Sequence, residues 1–353
     1  MYEINNMKEK FGQENKTSVA QNLLEKSKNK WERFLKEKIV SLFKREVAQE
    51  DLPEISIDIY FSPHASEEDL EHFGEAFEKS DIYFPENAGW GLLDVMLFKD
   101  ATDGMVPLEL INRVAEERYP EVVGFAKKQF EIIYNSHKPI AFIDLPEGHP
   151  LVKRMSRIQE IDTRGGFDAM VANNKKIEQE YANIQTEREK YMVSKIIPEI
   201  RSLVNKDPGL RKKKKIKVLL ALGSLHTPIF QTLKKGGFEV KRKFSEMPIF
   251  SRLHEIARRY EFGLPVTDEL VARAMLEEVF NQSMTESGFI FRTSNSISFL
   301  RNIAASFTLG ELKELFNISD PERERKFSEY IELKIEQKNI KFPSSQEELD
   351  KVS

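Results

Sequence analysis

The stretch 216-IKVLLALGSLHTPIFQTLKKGGFEV-240 decides the fold class of this chain. Its first seven residues are almost all apolar, which is typical of a buried strand. Thr227 and Pro228 form a favourable helix start, and 238-FEVKRKF-244 alternates like a further strand. A strand, a helix and a second strand in this order predict an α/β unit. His226 lies between the first strand and the helix, at the mouth of the strand.

The same alternation of strand and helix extends over residues 51–245. Three more segments have strand character, and three intervening segments have apolar residues at helical spacing. The strands are 55-ISIDIYF-61, 81-DIYFP-85 and 139-PIAFIDL-145, and the helices are 66–79, 107–135 and 168–205. Pro120 can break the second of these helices, and Pro198 should kink or divide the third. We therefore expect an α/β fold with a largely parallel central sheet, helices on both faces and long helical insertions.

The two ends of the chain are predicted to be helical. Residues 17–49 carry apolar side chains at helical spacing, so residues 1–50 are expected to form a helical N-terminal extension. Residues 51–245 would form the α/β core. The remaining residues, 246–353, contain helical patterns such as 267–280 and 308–316 and are expected to form a helical C-terminal region.

The composition excludes several classes of protein. The 353 residues contain no cysteine, which rules out disulfides, thiolate-bound zinc and a cysteine nucleophile. A net charge of −4 argues against a dedicated nucleic-acid binder, and the basic run 211–215 is expected to be solvated. The N-terminus lacks the apolar core of a secretory signal, and no run of about 18 apolar residues could span a membrane. We expect a cytoplasmic protein with no nucleic-acid and no membrane partner.

Ionisable residues follow four of the predicted strands. In open α/β sheets, ligands bind beyond the carboxyl ends of the strands. The residues at these positions, in chain order, are His64, Glu86, Asp144 and His226. Their shared position predicts a site at one edge of the sheet, with His64, Glu86 and His226 in catalytic roles. Asp144 either caps a turn or contacts a cofactor. The other histidines lack such a strand-end position or, as for His72, lie on a predicted helix surface.

The local environment of the two strand-end histidines suggests their chemistry. His64 and His226 each precede a predicted helix start, at Ser66 and Thr227. The positive end of a helix dipole favours the neutral imidazole, which can bind a metal ion or act as a base. Together with Glu86, the two histidines would form a three-ligand site for a divalent metal ion, with one position left for water.

Arg188 is a further candidate catalytic residue. It lies four residues before Met192, on the apolar side of the predicted helix 168–205. A guanidinium group on that side needs a carboxylate or an anionic ligand as its partner. Arg188 could therefore orient Glu86 or hold a substrate oxygen.

This order of elements resembles a known superfamily. The segments that carry the resemblance are 62-SPHASEEDLEHF-73, 83-YFPEN-87, 188-REKYM-192 and 221-ALGSLHTPIF-230. They are similar to motifs of the superfamily that joins TraB and Tiki proteins, ChaN-like haem-binding proteins and erythromycin-esterase-like enzymes. The resemblance implies an α/β core with His64, Glu86, Arg188 and His226 at one cleft. Phe61 stands where the superfamily has glycine.

Three functions remain open from the sequence. The first is a hydrolase of peptide or ester bonds, with or without a divalent metal ion, acting on a peptide or small-molecule substrate. The second is a ligand-binding module, for example for haem, or a regulatory module that kept the cleft without catalysis. The third is a structural protein with incidental histidines. The charged helical regions could also support a homo-oligomer.

Overall fold

The computed structural model describes most of the chain beyond residue 51. The described residues are 52–62, 70, 72–158, 165–245, 250–289, 294–318 and 323–351. The predicted helix 17–49, the candidate His64 and the predicted helix start at Ser66 lie outside them. Only residues 73–78 of the predicted helix 66–79 are described as helical.

Four strands form one sheet in which every neighbouring pair is parallel. The strands are β1 Glu54–Ser62, β2 Ile82–Pro85, β3 Lys215–Gly223 and β4 Glu239–Phe244. Their order across the sheet is β2-β3-β1-β4. The predicted parallel α/β architecture is therefore confirmed. Because β2 and β3 are neighbours, residues that follow their carboxyl ends lie close together.

Helices cover both faces of the sheet. The helices between residues 73 and 235 are α1 Phe73–Glu78, α2 Leu92–Asp103, α3 Leu108–Arg118, α4 Val123–Ile133, α5 Pro150–Met155, α6 Phe167–Lys206, α7 Pro208–Arg211 and α8 Thr227–Lys235. One face of the sheet packs against the C-terminal half of α6 and against α8. The other face packs against α1 to α4. Alternate residues of β1, β2 and β3 enter opposite cores, as Ile59 and Tyr60 do.

The segment 139–145 is not a strand, although its sequence predicts one. It pairs with the sheet through a single bridge between Ile140 and Tyr83. Beyond that bridge its backbone bonds elsewhere: the Trp90 ring donates to the Asp144 carbonyl at 2.8 Å, and the Asp144 carboxylate accepts from the Leu145 amide at 2.7 Å. The neighbouring strand β2 has only four residues and ends at Pro85, so the ladder cannot continue.

The helix α6 connects the sheet to the C-terminal helices. The sequence predicts a kink or a division of this helix at Pro198; the helix is continuous through Pro198, so the division does not occur. The loss of one backbone donor is offset by the burial of Ile196, Ile197 and Ile200 against the sheet. The predicted break at Pro120 is confirmed, because a short 3-10 turn, Pro120–Val122, separates α3 from α4.

The C-terminal residues are helical, as the sequence predicts. Their helices are α9 Arg252–Glu261, α10 Asp268–Glu286, α11 Ser294–Ser306, α12 Leu309–Phe316, α13 Arg323–Gln337 and α14 Gln346–Lys351. They share a separate apolar core with the first turns of α6, through Phe167 and Met170. Within the described ranges, no helix combines the length and apolar character needed to span a membrane.

Candidate functional site

Two neighbouring strands carry Glu86 and His226 to the same edge of the sheet. Glu86 follows the last residue of β2, and its amide donates to the Ala221 carbonyl of β3 at 3.0 Å. His226 ends the 3-10 turn Ser224–His226, which separates β3 from α8. The two side chains touch, with Oε1 of Glu86 3.0 Å from Nε2 of His226.

The Glu86 carboxylate is held from three sides. Besides His226, Oε1 accepts a hydrogen bond from Nη2 of Arg188 at 2.7 Å. Oε2 accepts a hydrogen bond from the Gly223 amide, at the end of β3. Among the described residues, two charged side chains and one backbone amide thus fix the orientation of the carboxylate.

Arg188 joins Glu86 to a buried aspartate. Its Nε and Nη2 contact the two oxygens of Asp144 at 2.9 and 2.5 Å, in the forked geometry typical of arginine and a carboxylate. Asp144 is fully buried, and only 6% of Arg188 is exposed. Burial alone would lower the pKa of Arg188, but the charges of Glu86 and Asp144 outweigh it and raise the pKa further. Arg188 is therefore a permanent cation between two carboxylates.

His226 also lies between two carboxylates. Its Nδ1 is 3.1 Å from Oε1 of Glu189, while Nε2 contacts Glu86, and only 2% of the residue is exposed. Burial works to lower the pKa of His226, but the charge of Glu86 and hydrogen bonds to Glu189 and Glu86 outweigh it and raise the pKa to about 9. The ring is an imidazolium at neutral pH and donates from both nitrogens.

The sequence-based expectation of a neutral His226 is therefore wrong. His226 is the residue that precedes α8, but its side chain accepts no hydrogen bond from the helix. A helix terminus contributes about 0.3–1 kcal/mol to a nearby charge, whereas two carboxylates about 3 Å away act more strongly on a buried ring. The two carboxylates decide the protonation state.

The structure brings together four of the five predicted site residues. They are Glu86, Asp144, Arg188 and His226. The fifth, His64, lies outside the described residues. In the sequence it comes two positions after Ser62, the last residue of β1, which pairs with Gly223. Arg188 orients Glu86, one of its two predicted roles. Asp144 contacts Arg188 and the Leu145 amide.

Sequence reasoning missed Glu189 as a member of the cluster. Glu189 is 7% exposed although it follows Arg188 directly in the chain. Both residues are buried because the apolar stripe of α6 is wide: Val193 and Ile197 are buried as well as Met192 and Ile196. Glu189 lies four residues before Val193, as Arg188 does before Met192, and this parallel spacing is the signal that could have revealed it.

The described residues supply two of the three metal ligands that the sequence predicts. Glu86 and His226 are adjacent, but no group of three or more histidine, aspartate and glutamate side chains suited to a metal ion occurs in the described part of the chain. In addition, Nε2 of His226 holds a proton directed at Glu86. The described side chains therefore do not fit a metal ion without a further donor and the loss of that proton.

Comparison of the chain with known protein families, with curated proteins and with solved structures finds no match. The chemistry of the side-chain cluster itself therefore indicates the function. We use the term acid–base cluster for Glu86, Asp144, Arg188, Glu189 and His226.

Gly223, three residues before His226, lets the Glu86 carboxylate approach the backbone closely. Its backbone angles, φ −60° and ψ 148°, suit any residue, but a Cβ atom would lie 3.2 Å from Oε2 of Glu86. We expect Gly223→Ala to displace Glu86 and to lower the pKa of His226, at a stability cost of no more than about 1 kcal/mol. NMR titration and urea denaturation measure the two effects.

The control is Gly74→Ala in α1, where a Cβ atom would come no closer than 3.9 Å to its nearest neighbour, on Ile132. This variant should leave the pKa of His226 unchanged. An equal pKa of His226 in wild type and Gly223→Ala would show that the close approach of Gly223 does not position Glu86.

Proposed function

We propose that the acid–base cluster is the catalytic centre of a hydrolase that cleaves ester or peptide bonds. The observation that carries this proposal is the direct contact between Oε1 of Glu86 and Nε2 of His226, at 3.0 Å. A carboxylate and an imidazolium in contact provide a base and an acid side by side. Each of the two groups also has a hydrogen-bond partner that fixes its orientation: Arg188 for Glu86, and Glu189 for His226.

The proposed reaction uses this pair in both halves of hydrolysis. Glu86 accepts a proton from water, and the water oxygen attacks the carbonyl carbon of the substrate. His226 gives its Nε2 proton to the leaving oxygen or nitrogen as the bond to the carbonyl carbon breaks. The proton on Glu86 then passes to His226 across their contact, which restores the carboxylate and the imidazolium. The products are a carboxylic acid and an alcohol or an amine.

The remaining members of the cluster are positioning residues. Arg188 fixes Glu86 in contact with His226, and Asp144 fixes Arg188. Glu189 fixes the ring of His226 through Nδ1, as a carboxylate often does for a catalytic histidine. The Glu86 side chain is 14% exposed, more than the side chains of Asp144, Arg188 and His226. Glu86 is therefore the one of these four groups that water reaches first.

The resemblance to the TraB, ChaN-like and erythromycin-esterase-like superfamily supports the same proposal. That superfamily includes esterases that use histidine without a metal ion and proteases that use a metal ion. The metal-dependent form of the proposal requires His64 as a third ligand and a deprotonated His226. Elemental mass spectrometry of protein without a histidine tag distinguishes the metal-free form from the metal-dependent form. A stoichiometric metal that is lost in both His64→Ala and His226→Ala favours the metal-dependent form.

The proposal is tested with a panel of chromogenic esters and peptides. We expect turnover by the wild type and a loss of about 10²- to 10⁴-fold in Glu86→Gln and in His226→Gln, because each removes one proton-transfer group. The matched control is His72→Gln, which changes an exposed histidine at the start of α1. Turnover that survives in both cluster variants would refute the mechanism.

A second candidate function is a ligand-binding module without catalysis, and one observation favours it. Phe61, in place of the glycine of the superfamily, is fully buried and stacks on Phe244 at 5.0 Å between ring centres. The sheet edge beside the cluster therefore differs from that of the catalytic relatives. For haem, the narrowest version of this candidate, a titration that produces a Soret shift in wild type and not in His226→Gln would favour binding.

A further inference from the structure

A cavity lies between the N-terminal half of α6 and the helices α9 and α10. Its volume is about 610 Å³, within the range of small-molecule sites. The walls are partly apolar, with Ile177 from α6, Leu253 from α9 and Met275 from α10. We call this cavity the helical cleft. It has room for a ligand with an extended hydrocarbon chain.

The helical cleft is acidic. Glu178 of α6 and both Glu278 and Glu286 of α10 line it, and the described residues that line it include no lysine or arginine. Glu278 and Glu286 accept hydrogen bonds only from the amides of neighbouring side chains on their own helix, each at 3.3 Å. Among the described residues, none of these three carboxylates forms an ion pair.

Glu178 is the residue that points to a ligand. It is 92% buried, since its exposed fraction is 8%, and it lines the cleft without a hydrogen-bond partner among the described residues. A buried carboxylate without a partner is costly unless a cation or a donor reaches it. Burial and the nearby charge of Glu278 raise the pKa of Glu178 to about 7, which is the response of a carboxyl group that lacks a partner.

His254, which also lines the cleft, can accept a hydrogen bond from a bound donor. Burial and the charge of Arg258 lower the pKa of His254 to about 4, so this ring is neutral and offers a lone pair. The described residues include no cluster suited to a metal ion, and the apolar walls match hydrocarbon better than a hydrated ion.

We propose that the helical cleft binds a linear organic polyamine, with one ammonium group at Glu178 and Glu278, the hydrocarbon chain along the apolar walls, and a second ammonium group towards Glu286. Glu278 and Glu286 are eight residues apart on α10, which corresponds to about 12 Å along the helix. This separation suits the ends of spermidine or of 1,8-diaminooctane. The inference is independent of the acid–base cluster, because it uses none of its residues.

Calorimetric titration of the full chain with spermidine, 1,8-diaminooctane and the neutral analogue 1,8-octanediol tests the proposal. We expect saturable binding of both amines and at least about tenfold weaker binding of the diol, which cannot form the charged contacts. Glu178→Gln should weaken the binding of both amines by at least about tenfold. The control is Glu269→Gln, which removes an ion pair with Arg273 on α10 outside the cleft.

Stability measurements keep the test interpretable. Glu178→Gln removes an uncompensated buried charge, so at pH 8 it should be at least as stable as the wild type. Equal affinity for diamine and diol, unchanged amine binding in a folded Glu178→Gln, or no amine binding at all would overturn the proposal. Glu178-dependent binding of Mg²⁺ or of a lysine-rich peptide, without binding of the amines, would overturn the polyamine assignment in favour of a metal ion or a protein partner.

Discussion

Replacing Arg188 with methionine is expected to destabilise the protein by about 3–5 kcal/mol, because it leaves buried carboxylates without their cation. Asp144 is fully buried and gives both oxygens to Arg188, and Glu86 shares the same Nη2. Methionine fills a similar volume, so the cost comes from charge and not from a cavity. Urea denaturation at pH 7 measures the free energy of unfolding.

Two further variants separate the charge effect from packing. Arg154→Met removes the exposed ion pairs with Glu180 and Glu187 and should cost no more than about 1 kcal/mol. The double variant Arg188→Met, Asp144→Leu removes the buried carboxylate as well and should recover part of the loss. A cost of less than about 1 kcal/mol for Arg188→Met alone would show that Arg188 does not hold the carboxylates in place.

The second large effect is a loss of stability as the pH rises from about 6.5 to 9. The pKa of His226 is raised from its ordinary value of 6.5 to about 9. The folded protein therefore binds more protons than the unfolded chain within this window, and its stability falls as the pH rises. The contribution of about 3 kcal/mol is complete below pH 6.5 and is lost above pH 9. Denaturant unfolding at a series of pH values measures it.

The variant His226→Gln isolates this contribution. Burial raises the pKa of Glu178 and Glu261 to about 7, so stability also falls as these carboxyl groups ionise between about pH 4.5 and 7. The charge of His226 acts on Glu261, so both proteins are compared in a Glu261→Gln background. The difference between wild type and His226→Gln then cancels the effect of Glu178 and should shrink by about 3 kcal/mol between pH 6.5 and 9. A difference that stays constant over that window would contradict the raised pKa of His226.

The sequence predicts the sheet and the members of the cluster that follow strands. Glu86 and His226 could be found because strand-end positions in a parallel sheet converge on one edge. Arg188 could be found because a cation on an apolar helix face requires an anionic partner. Their roles could not be predicted fully, because the charge state of His226 depends on how closely Glu86 and Glu189 approach the buried ring, and these distances follow only from the folded structure.

Other features escaped prediction for physical reasons. The segment 139–145 has a strand-like pattern because its residues are buried on alternating sides, but only Ile140 pairs with the sheet. Helix α2 was not predicted, because its apolar residues do not follow one face: Leu92 and Leu93 are exposed, while Leu97 and Phe98 are buried. The spacing of apolar residues identifies a helix only when one face of the helix packs on the core and the opposite face is exposed to solvent.

The most direct test of the central claim is an NMR titration of the His226 ring, assigned by the signal that disappears in His226→Gln. The claim is that His226 is a protonated acid held in contact with Glu86. The account predicts a pKa of about 9 in the wild type and a value closer to the ordinary 6.5 in Glu86→Gln. A wild-type pKa at or below 6.5 would mean that the ring is neutral at physiological pH, and the proposed proton donor would not exist.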